Sequence, residues 1–248
     1  MSDSKKIFFL SDLHLGMHPV EESLDREKKV VEWLDSIQHE AAEIYLLGDV
    51  LDYWFEYKKV VPRGFTRFLG KIAQITDAGI KVNYFTGNHD VWVFDYLPRE
   101  IGVEVFRNPI VREYSGKKFL IAHGDGLGPG QTGYKLLKRL FTSKTAQWMY
   151  ARIHPNLATG FAQRWSKKSR YDKAVSTGFL GEDKEYLILY AREKLKQEHF
   201  DFFIFGHRHL PLEYSLNDSS NLIYLGDWIE NFSYAVFDGE SLQLKTLD

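Results

Sequence analysis

The chain of 248 residues contains no cysteine, which excludes disulfide bonds and thiolate zinc sites. Any metal ion must therefore be held by oxygen and imidazole ligands. No apolar run approaches the ~20 residues that a membrane-spanning helix requires. Lys5 and Lys6 are followed by only four apolar residues, far fewer than the core of a secretory signal contains. These absences predict a cytoplasmic protein without a transmembrane helix.

The apolar residues that are present fit a globular α/β protein. They make up 44% of the chain, and aromatic residues make up 15%, which is enough for a sizeable core. Apolar runs at 7–10, 44–47 and 81–86 predict buried strands, and helical patterns separate them. This alternation is typical of a largely parallel sheet with covering helices. Further buried strands are predicted at 119–122 and 202–205, and the short strands after residue 211 favour antiparallel pairing.

Three helices are predicted between these strands. The first presents one apolar face, formed by Leu24, Val30, Val31, Leu34 and Ile37. The second opens at Pro62 and closes near Gly79. The third covers 182–197 and returns the chain to the core.

Polar side chains of similar chemistry follow five predicted strands. Because ligand sites in open α/β sheets gather beyond the carboxyl ends of the strands, we expect these side chains to converge. Any one of the five groups alone is weak evidence for a site. The residues are Asp12 and His14; Asp49 and Asp52; Asn88, His89 and Asp90; His123 and Asp125; and His207 and His209.

In this order, the patterns D-x-H, G-D, G-N-H-D, H-G-D and G-H-x-H closely resemble those of the calcineurin-like metallophosphoesterases. The resemblance covers most of the chain outside 126–181 and implies a four-layer αββα sandwich. It also implies two divalent metal ions, with Asp49 as the ligand that bridges them. One ion would take Asp12, His14, Asp49 and His209, and the other Asp49, Asn88, His123 and His207. Nitrogen and oxygen ligation of this kind suits Mn²⁺, Fe or Zn²⁺ over Ca²⁺, and of these three ions we predict Mn²⁺.

The same resemblance implies hydrolysis at phosphorus and assigns two catalytic residues. His89 would contact a phosphoryl oxygen or protonate the leaving oxygen, and Asp90 would orient it. For Asp52, support of a ligand and capping of a helix are both open, while Asp227 favours a turn or a supporting role over ligation. We expect Asp125 to stabilise the loop after His123. The histidines outside the motifs, which we expect to be structural or solvated, are His18, His39, His154 and His199.

Residues 126–181 interrupt the strand and helix pattern and predict a helical cap inserted into a core of 1–125 and 182–248. The insertion opens at a glycine-rich hinge and is strongly basic. The predicted substrate-binding residues are Tyr134, Lys135, Lys138, Trp165, Lys167, Lys168 and Arg170. Apolar residues form either a groove or the core of the cap itself; they are Leu137, Leu140, Phe141, Trp148, Met149, Phe161 and Trp165.

The place of the insertion, together with the segments 133–135, 165–170 and 52–54, resembles the UDP-2,3-diacylglucosamine hydrolases of lipid A biosynthesis. The resemblance implies a lipid-linked nucleotide substrate, which is cleaved to UMP and an acylated sugar 1-phosphate. It also implies peripheral contact with the cytoplasmic face of the inner membrane. No nucleic-acid-binding module accompanies the basic residues, and we predict no obligate protein partner.

Position 89 departs from that group, since it is His here and typically Arg there. A second hypothesis is therefore a soluble phosphodiesterase or phosphatase of the same family that acts on nucleotides or phosphoproteins. A third is a scaffold without catalytic activity, although the complete set of metal ligands argues against it.

Overall fold

A computed structural model of the protein describes residues 5–161 and 178–247, and these form two stacked β-sheets. The first sheet has six strands in the order β11-β10-β1-β2-β3-β4, and the second has five in the order β5-β6-β7-β9-β8. The strands are β1 Lys6–Leu10, β2 Ala41–Leu47, β3 Lys81–Phe85, β4 Glu104–Phe106, β5 Ile110–Tyr114, β6 Lys117–Ala122, β7 Phe202–Phe205, β8 Pro211–Asn217, β9 Ser220–Leu225, β10 Ser233–Phe237 and β11 Leu242–Thr246.

Helices cover the outer face of each sheet, which confirms the expected four layers. The helices are α1 Val20–Ile37, α2 Thr66–Asp77, α3 Tyr96–Ile101, α4 Thr132–Thr142, α5 Lys144–Tyr150 and α6 Tyr186–Leu195. Phe8 and Leu10 pack towards α1, whereas Phe9 belongs to the core between the sheets. On the far side, Phe203 packs in one core with Leu187 of α6. Both faces of these central strands are buried, which explains why their sequences are continuously apolar.

The C-terminal strands form the two antiparallel hairpins that their turns predict. β8 pairs antiparallel with β9, and β10 with β11. The rest of their pairing differs from the expectation, because β9 also pairs parallel with β7, and β10 crosses to the other sheet beside β1. Local sequence patterns specify a hairpin, but they do not specify which sheet receives it.

Two helices begin later than predicted. α2 starts at Thr66, not at Pro62, and the Glu27 side chain accepts hydrogen bonds from the backbone N–H groups of Arg67 and Phe68 at 2.9 and 3.0 Å. α6 starts at Tyr186, after a turn. For α2, the contact of the Glu27 side chain with the first turn satisfies N–H groups that have no partner inside the helix.

The predicted site residues follow strands whose carboxyl ends meet at one edge of the sheets. The insertion follows β6, and in its described part it forms α4, α5 and further helical residues at 155–161. The predicted substrate-binding residues Trp165, Lys167, Lys168 and Arg170 lie outside the described residues. Within the described ranges, every helix is too short or too polar to cross a membrane.

Candidate dinuclear metal centre

Five of the predicted ligands have left-handed backbone conformations. Their φ angles are 56° at Asp12, 44° at His14, 50° at Asp49, 65° at His207 and 51° at His209. Such a conformation costs a residue with a side chain ~1–2 kcal/mol, and it is found mainly where a site requires a particular side-chain direction. The sharp turns aim successive side chains at one point from several strand ends.

One group of ligand atoms comes from Asp12, His14 and His209, and these atoms all lie within 4.8 Å of one another. His209 Nε2 lies 3.2 Å from Asp12 Oδ1 and 3.3 Å from His14 Nε2. His14 Nε2 is also 3.9 Å from Asp49 Oδ2, so the Asp49 carboxylate faces this group.

A second group comes from Asp49, His123 and His207. His123 Nε2 lies 3.4 Å from Asp49 Oδ2, the same oxygen that faces His14. The His123 and His207 rings are 5.1 Å apart. Asp49 Oδ2 therefore lies between two sets of imidazoles, which is the position that a bridging carboxylate requires.

The donor atoms fit a pair of cations. Asn88 Oδ1 is buried and accepts no hydrogen bond from any of the described residues, and His123 Nε2 is likewise buried without one. Leaving such a group unsatisfied costs about 1–3 kcal/mol, so these atoms need an electrophilic partner. Both are predicted ligands of the second ion. Imidazole, carboxylate and amide donors together suit a divalent transition metal.

Three histidines are oriented through their Nδ1 atoms, which leaves Nε2 to face the centre. His14 Nδ1 lies 3.1 Å from Asp52 Oδ1, and His209 Nδ1 lies 3.2 Å from Asp227 Oδ2. His123 Nδ1 donates to Leu47 O at 2.6 Å. Such partners fix the tautomer and the ring direction of a metal-binding histidine. For both Asp52 and Asp227 the structure therefore favours support of a ligand.

Oppositely charged side chains in this cluster shift one another's pKa values towards the charged forms. Burial would raise the pKa of Asp49, but the neighbouring His123 and His89 outweigh it and hold that pKa well below its ordinary value. Burial would lower the pKa of His209, yet Asp12 and Asp227 raise it to about 10. The carboxylates thus remain ionised and draw positive charge into the centre, as a site for cations must.

The proposed role of Asp90 is wrong, because its carboxylate does not contact His89. Asp90 is fully buried and accepts hydrogen bonds from the N–H groups of Val50, Leu51 and Gly87 and from the Tyr84 hydroxyl. We number the five ligand loops in chain order, by the residues Asp12, Asp49, Asn88, His123 and His207 that they carry. Asp90 therefore connects the second ligand loop to the third. Its pKa rises to about 6 through burial and the nearby Asp49.

His89 is instead positioned by Asp52. Its Nδ1 lies 3.0 Å from Asp52 O and 3.5 Å from Asp52 Oδ1. Its ring lies 4.7 Å from that of His14, so His89 borders the first group of ligands. Asp52 consequently contacts a predicted ligand and the predicted catalytic histidine at once.

Two motif glycines are required by close approach of the ligands. A Cβ on Gly87 would lie 2.2 Å from Asp49 Oδ1, and one on Gly206 would lie 2.7 Å from Asp12 Oδ2. Both distances are below the 3.0 Å that real Cβ atoms keep. The glycines in G-N-H-D and G-H-x-H therefore make room for carboxylates from other loops.

Asp125 joins the fourth ligand loop to the insertion. Its Oδ2 accepts hydrogen bonds from the Tyr134 hydroxyl and from Lys138 Nζ, both at 2.6 Å. The Tyr134 ring lies 6.3 Å from that of His207. Of the described residues that we predicted to bind substrate, Tyr134 and Lys138 are thus beside the centre, whereas Lys135 donates to Gly128 O.

Sequence reasoning missed a buried arginine that supports the first loop. Arg26 on α1 donates to Leu13 O and His14 O at 3.3 and 2.9 Å. Its side chain is only 6% exposed. The sequence did contain a signal for this role: Arg26 lies one helical turn before Val30, and therefore on the apolar face of the predicted helix.

An aromatic cluster holds the insertion against the core. Trp92 donates through Nε1 to Phe141 O at 2.8 Å, and its ring lies 4.7 Å from that of Tyr150. Phe55 lies 4.7 Å from Tyr150 as well. These contacts place α5 beside the third ligand loop.

Up to residue 161, the insertion also exposes apolar side chains. Neither α4 nor α5 contains a buried residue. Among the described residues of the insertion, six large apolar side chains are more than half exposed: Leu136, Leu140, Trp148, Met149, Leu157 and Phe161. Arg152 stacks on Trp148 at 4.6 Å, so a basic side chain accompanies this surface. The described part of the insertion therefore does not bury these residues in a core of its own.

The chain matches known proteins along nearly its whole length. The model of the calcineurin-like phosphoesterase family matches residues 5–211. A UDP-2,3-diacylglucosamine hydrolase of Porphyromonas gingivalis is 43% identical over 256 residues, covering 98% of each chain. A protein of the same name from Histophilus somni is 26% identical, covering 90% of this chain and 92% of its own. Among solved structures, a dimetal phosphatase from Danio rerio matches with a TM-score of 0.48 and 15% identity, covering 98% of this chain and 95% of its own.

Proposed function

The chain belongs to the calcineurin-like phosphoesterase family, and we propose that it hydrolyses the diphosphate of UDP-2,3-diacylglucosamine in lipid A biosynthesis. The products are UMP and 2,3-diacylglucosamine 1-phosphate. The observation that carries this proposal is the 43% identity to a relative of that name across 98% of both chains. The match includes the insertion and not only the ligand loops.

Within this proposal, two sets of ligands that share Asp49 form the metal centre. One cation would be held by Asp12, His14, Asp49 and His209, and the other by Asp49, Asn88, His123 and His207. When bound, two divalent cations neutralise charge on a phosphoryl group and lower the pKa of a water molecule towards ~7. We assign Mn²⁺, which mixed imidazole and oxygen donors accommodate as they do Fe and Zn²⁺.

His89 is the proposed contact to the phosphoryl group. Asp52 holds its Nδ1 through a backbone oxygen at 3.0 Å, which fixes the ring and assigns Nε2 to the substrate. The ring can offer the substrate only one nitrogen, Nε2, where an arginine would offer two N–H donors. The hydroxyl of Tyr134 lies on the other side of the centre, held by Asp125.

We assign 126–181 as a cap over a core of 1–125 and 182–248, and the acyl chains to its apolar side. Contact with exposed side chains such as Leu140, Trp148 and Phe161 would stabilise acyl-chain binding by ~0.8 kcal/mol for each methylene group removed from water. The basic residues Arg139, Lys144 and Arg152 on the same helical segments favour an anionic surface. The protein would thus work peripherally on the cytoplasmic face of the inner membrane.

The direct test is incubation of the purified protein with Mn²⁺ and UDP-2,3-diacylglucosamine, with UMP measured by chromatography. We expect turnover by the wild type and by His39→Gln, a matched control in which an exposed histidine outside the centre is changed. We expect turnover to fall at least ~100-fold in Asp49→Asn and in His123→Gln. Absence of UMP, alongside rapid cleavage of bis(p-nitrophenyl) phosphate, would refute the substrate and favour the soluble phosphodiesterase.

Membrane contact is tested by co-sedimentation with vesicles that contain phosphatidylglycerol. We expect wild-type binding, and a loss of at least severalfold in the double variant Leu140→Ser/Trp148→Ser. Val111→Ser, which changes an exposed apolar residue on β5, is the control and should bind like the wild type. Equal binding by all three proteins, or by none, would exclude this surface as the docking site.

A further inference from the structure

Arg208 occupies the variable position of the G-H-x-H motif, between two predicted ligands. Its guanidinium forms a two-pronged ion pair with Glu185, at 3.0 Å from Nε to Oε2 and 2.8 Å from Nη2 to Oε1. The side chain of Glu185 is completely buried, and that of Arg208 is 11% exposed. Charges this deeply buried are retained only when they are well paired.

The pair joins four parts of the fold. Glu185 immediately precedes α6, and it also accepts hydrogen bonds from Leu180 N at 3.1 Å and from the Tyr224 hydroxyl at 3.4 Å. Arg208 Nη2 donates to Gly178 O at 3.1 Å. The fifth ligand loop is thereby tied to β9, to the start of α6 and to the end of the insertion.

This loop needs external support more than an ordinary loop does. His207 and His209, on either side of Arg208, both have left-handed φ angles, 65° and 51°. Alternating conformations of this kind are readily lost unless the surrounding structure fixes them. The guanidinium fork is rigid and binds a carboxylate in one orientation, so it fixes the residue that lies between the two histidines.

We propose that Arg208 and Glu185 are positioning residues whose ion pair holds His207 and His209 in their ligating orientation. Neither side chain is assigned to a cation or to substrate. His209 belongs to the first group of ligands and His207 to the second, so a single ion pair affects both metal positions. The inference rests on the proposed metal centre, but it does not depend on the identity of the substrate.

The test measures Mn²⁺ affinity directly, by electron paramagnetic resonance of free Mn²⁺ and by calorimetry. Arg208→Lys keeps the charge but removes the fork, and Arg208→Gln and Glu185→Gln each leave one charge unpaired. We expect the Mn²⁺ dissociation constant to rise about tenfold or more in each variant. The double variant Arg208→Gln/Glu185→Gln should bind Mn²⁺ no more weakly than the weaker binder of its two single variants, because all three proteins lose the same ion pair.

Arg192→Gln is the matched control. Arg192 also pairs with a glutamate, Glu182, in the same region, but on the surface, with 36% and 51% of the two side chains exposed. The Mn²⁺ affinity of the Arg192→Gln variant should remain within twofold of that of the wild type. Circular dichroism selects the variants that fold, and if the glutamine variants do not fold, Arg208→Lys decides the question.

Kinetics separate positioning from general stability. With bis(p-nitrophenyl) phosphate as substrate, we expect the reduced kcat of Arg208→Lys to recover as Mn²⁺ is raised, with KM changed less than twofold. A folded Arg208→Lys protein with lower thermal stability but wild-type Mn²⁺ affinity would overturn the proposal. Failure of the wild type on UDP-2,3-diacylglucosamine would leave these readouts unchanged, so the two proposals fail separately.

Discussion

The sharpest prediction concerns the substitution Gly87→Ala. Gly87 does not have a left-handed φ, so alanine could adopt its backbone conformation. The added Cβ, however, would lie 2.2 Å from Asp49 Oδ1 and 2.5 Å from Asp49 N, where contacts below 3.0 Å are essentially never seen. The nearer group is the central carboxylate of the metal centre, and the other is backbone, so no flexible side-chain end can absorb the clash.

The expected magnitude follows from the required movement. The Asp49 loop is fixed by a hydrogen bond from His14 N to Asp49 O at 2.9 Å and by Asp90, which binds the N–H groups of Val50 and Leu51. Relief of the clash therefore shifts the Asp49 carboxylate or the 87–90 loop by roughly 1 Å. Displacements of that size cost ~100-fold in rate. We expect kcat to fall by that factor, together with weaker Mn²⁺ binding.

The assay is hydrolysis of bis(p-nitrophenyl) phosphate at saturating Mn²⁺, combined with Mn²⁺ titration. Gly70→Ala is the control, because Gly70 lies on the exposed face of α2 and a Cβ there meets nothing within 4 Å. That variant should keep wild-type activity and gain about 0.5–1 kcal/mol in free energy of unfolding. A Gly87→Ala protein with kcat and Mn²⁺ affinity within threefold of the wild type would refute the reasoning.

Three further results are expected. Glu27→Ala should lower the free energy of unfolding by about 1–2 kcal/mol in urea, because its carboxylate caps α2; a change no larger than that of the exposed Glu32→Ala would contradict this. Burial raises the pKa of Asp201, but a hydrogen bond from Lys118 N and the charge of Lys117 lower it below 3.8, so its stabilisation is present above pH 4 and is lost at lower pH. The cost of Asp201→Asn, measured by urea unfolding, should shrink as the pH falls from 7 to 3, and a constant cost would be evidence against the pairing. Removal of metal with EDTA should abolish diester hydrolysis and lower the unfolding temperature, and Mn²⁺ should restore both; an unchanged unfolding temperature would count against a metal centre in the folded protein.

The placement of the candidate site was predictable because it depends on local signals. Each apolar run is short and ends in chemically distinctive residues, and parallel strands bring their carboxyl ends to one edge. The structure accordingly brings Asp12, Asp49 and His123 into one cluster. The αββα layering followed from the family resemblance, and the buried faces of β1 and β7 agree with it.

The parts that could not be predicted depend on contacts between distant residues. The role of Asp90 was wrong because its position beside His89 in sequence does not determine which way its carboxylate points. Arg26 supports a loop twelve residues away, and Glu27 caps a helix forty residues away. The apolar pattern of α4 fits a buried face and an exposed one equally well, and only the structure distinguishes them.

The left-handed turns of the centre have a consequence for how this protein can change. At Asp12, His14, Asp49, His207 and His209, glycine would relieve the backbone while it removed the ligand. Folding and catalysis therefore make opposite demands on the same five positions. A variant that no longer needed the reaction would gain stability if these side chains were replaced by glycine. Keeping all five therefore lowers the stability of the fold in favour of catalysis.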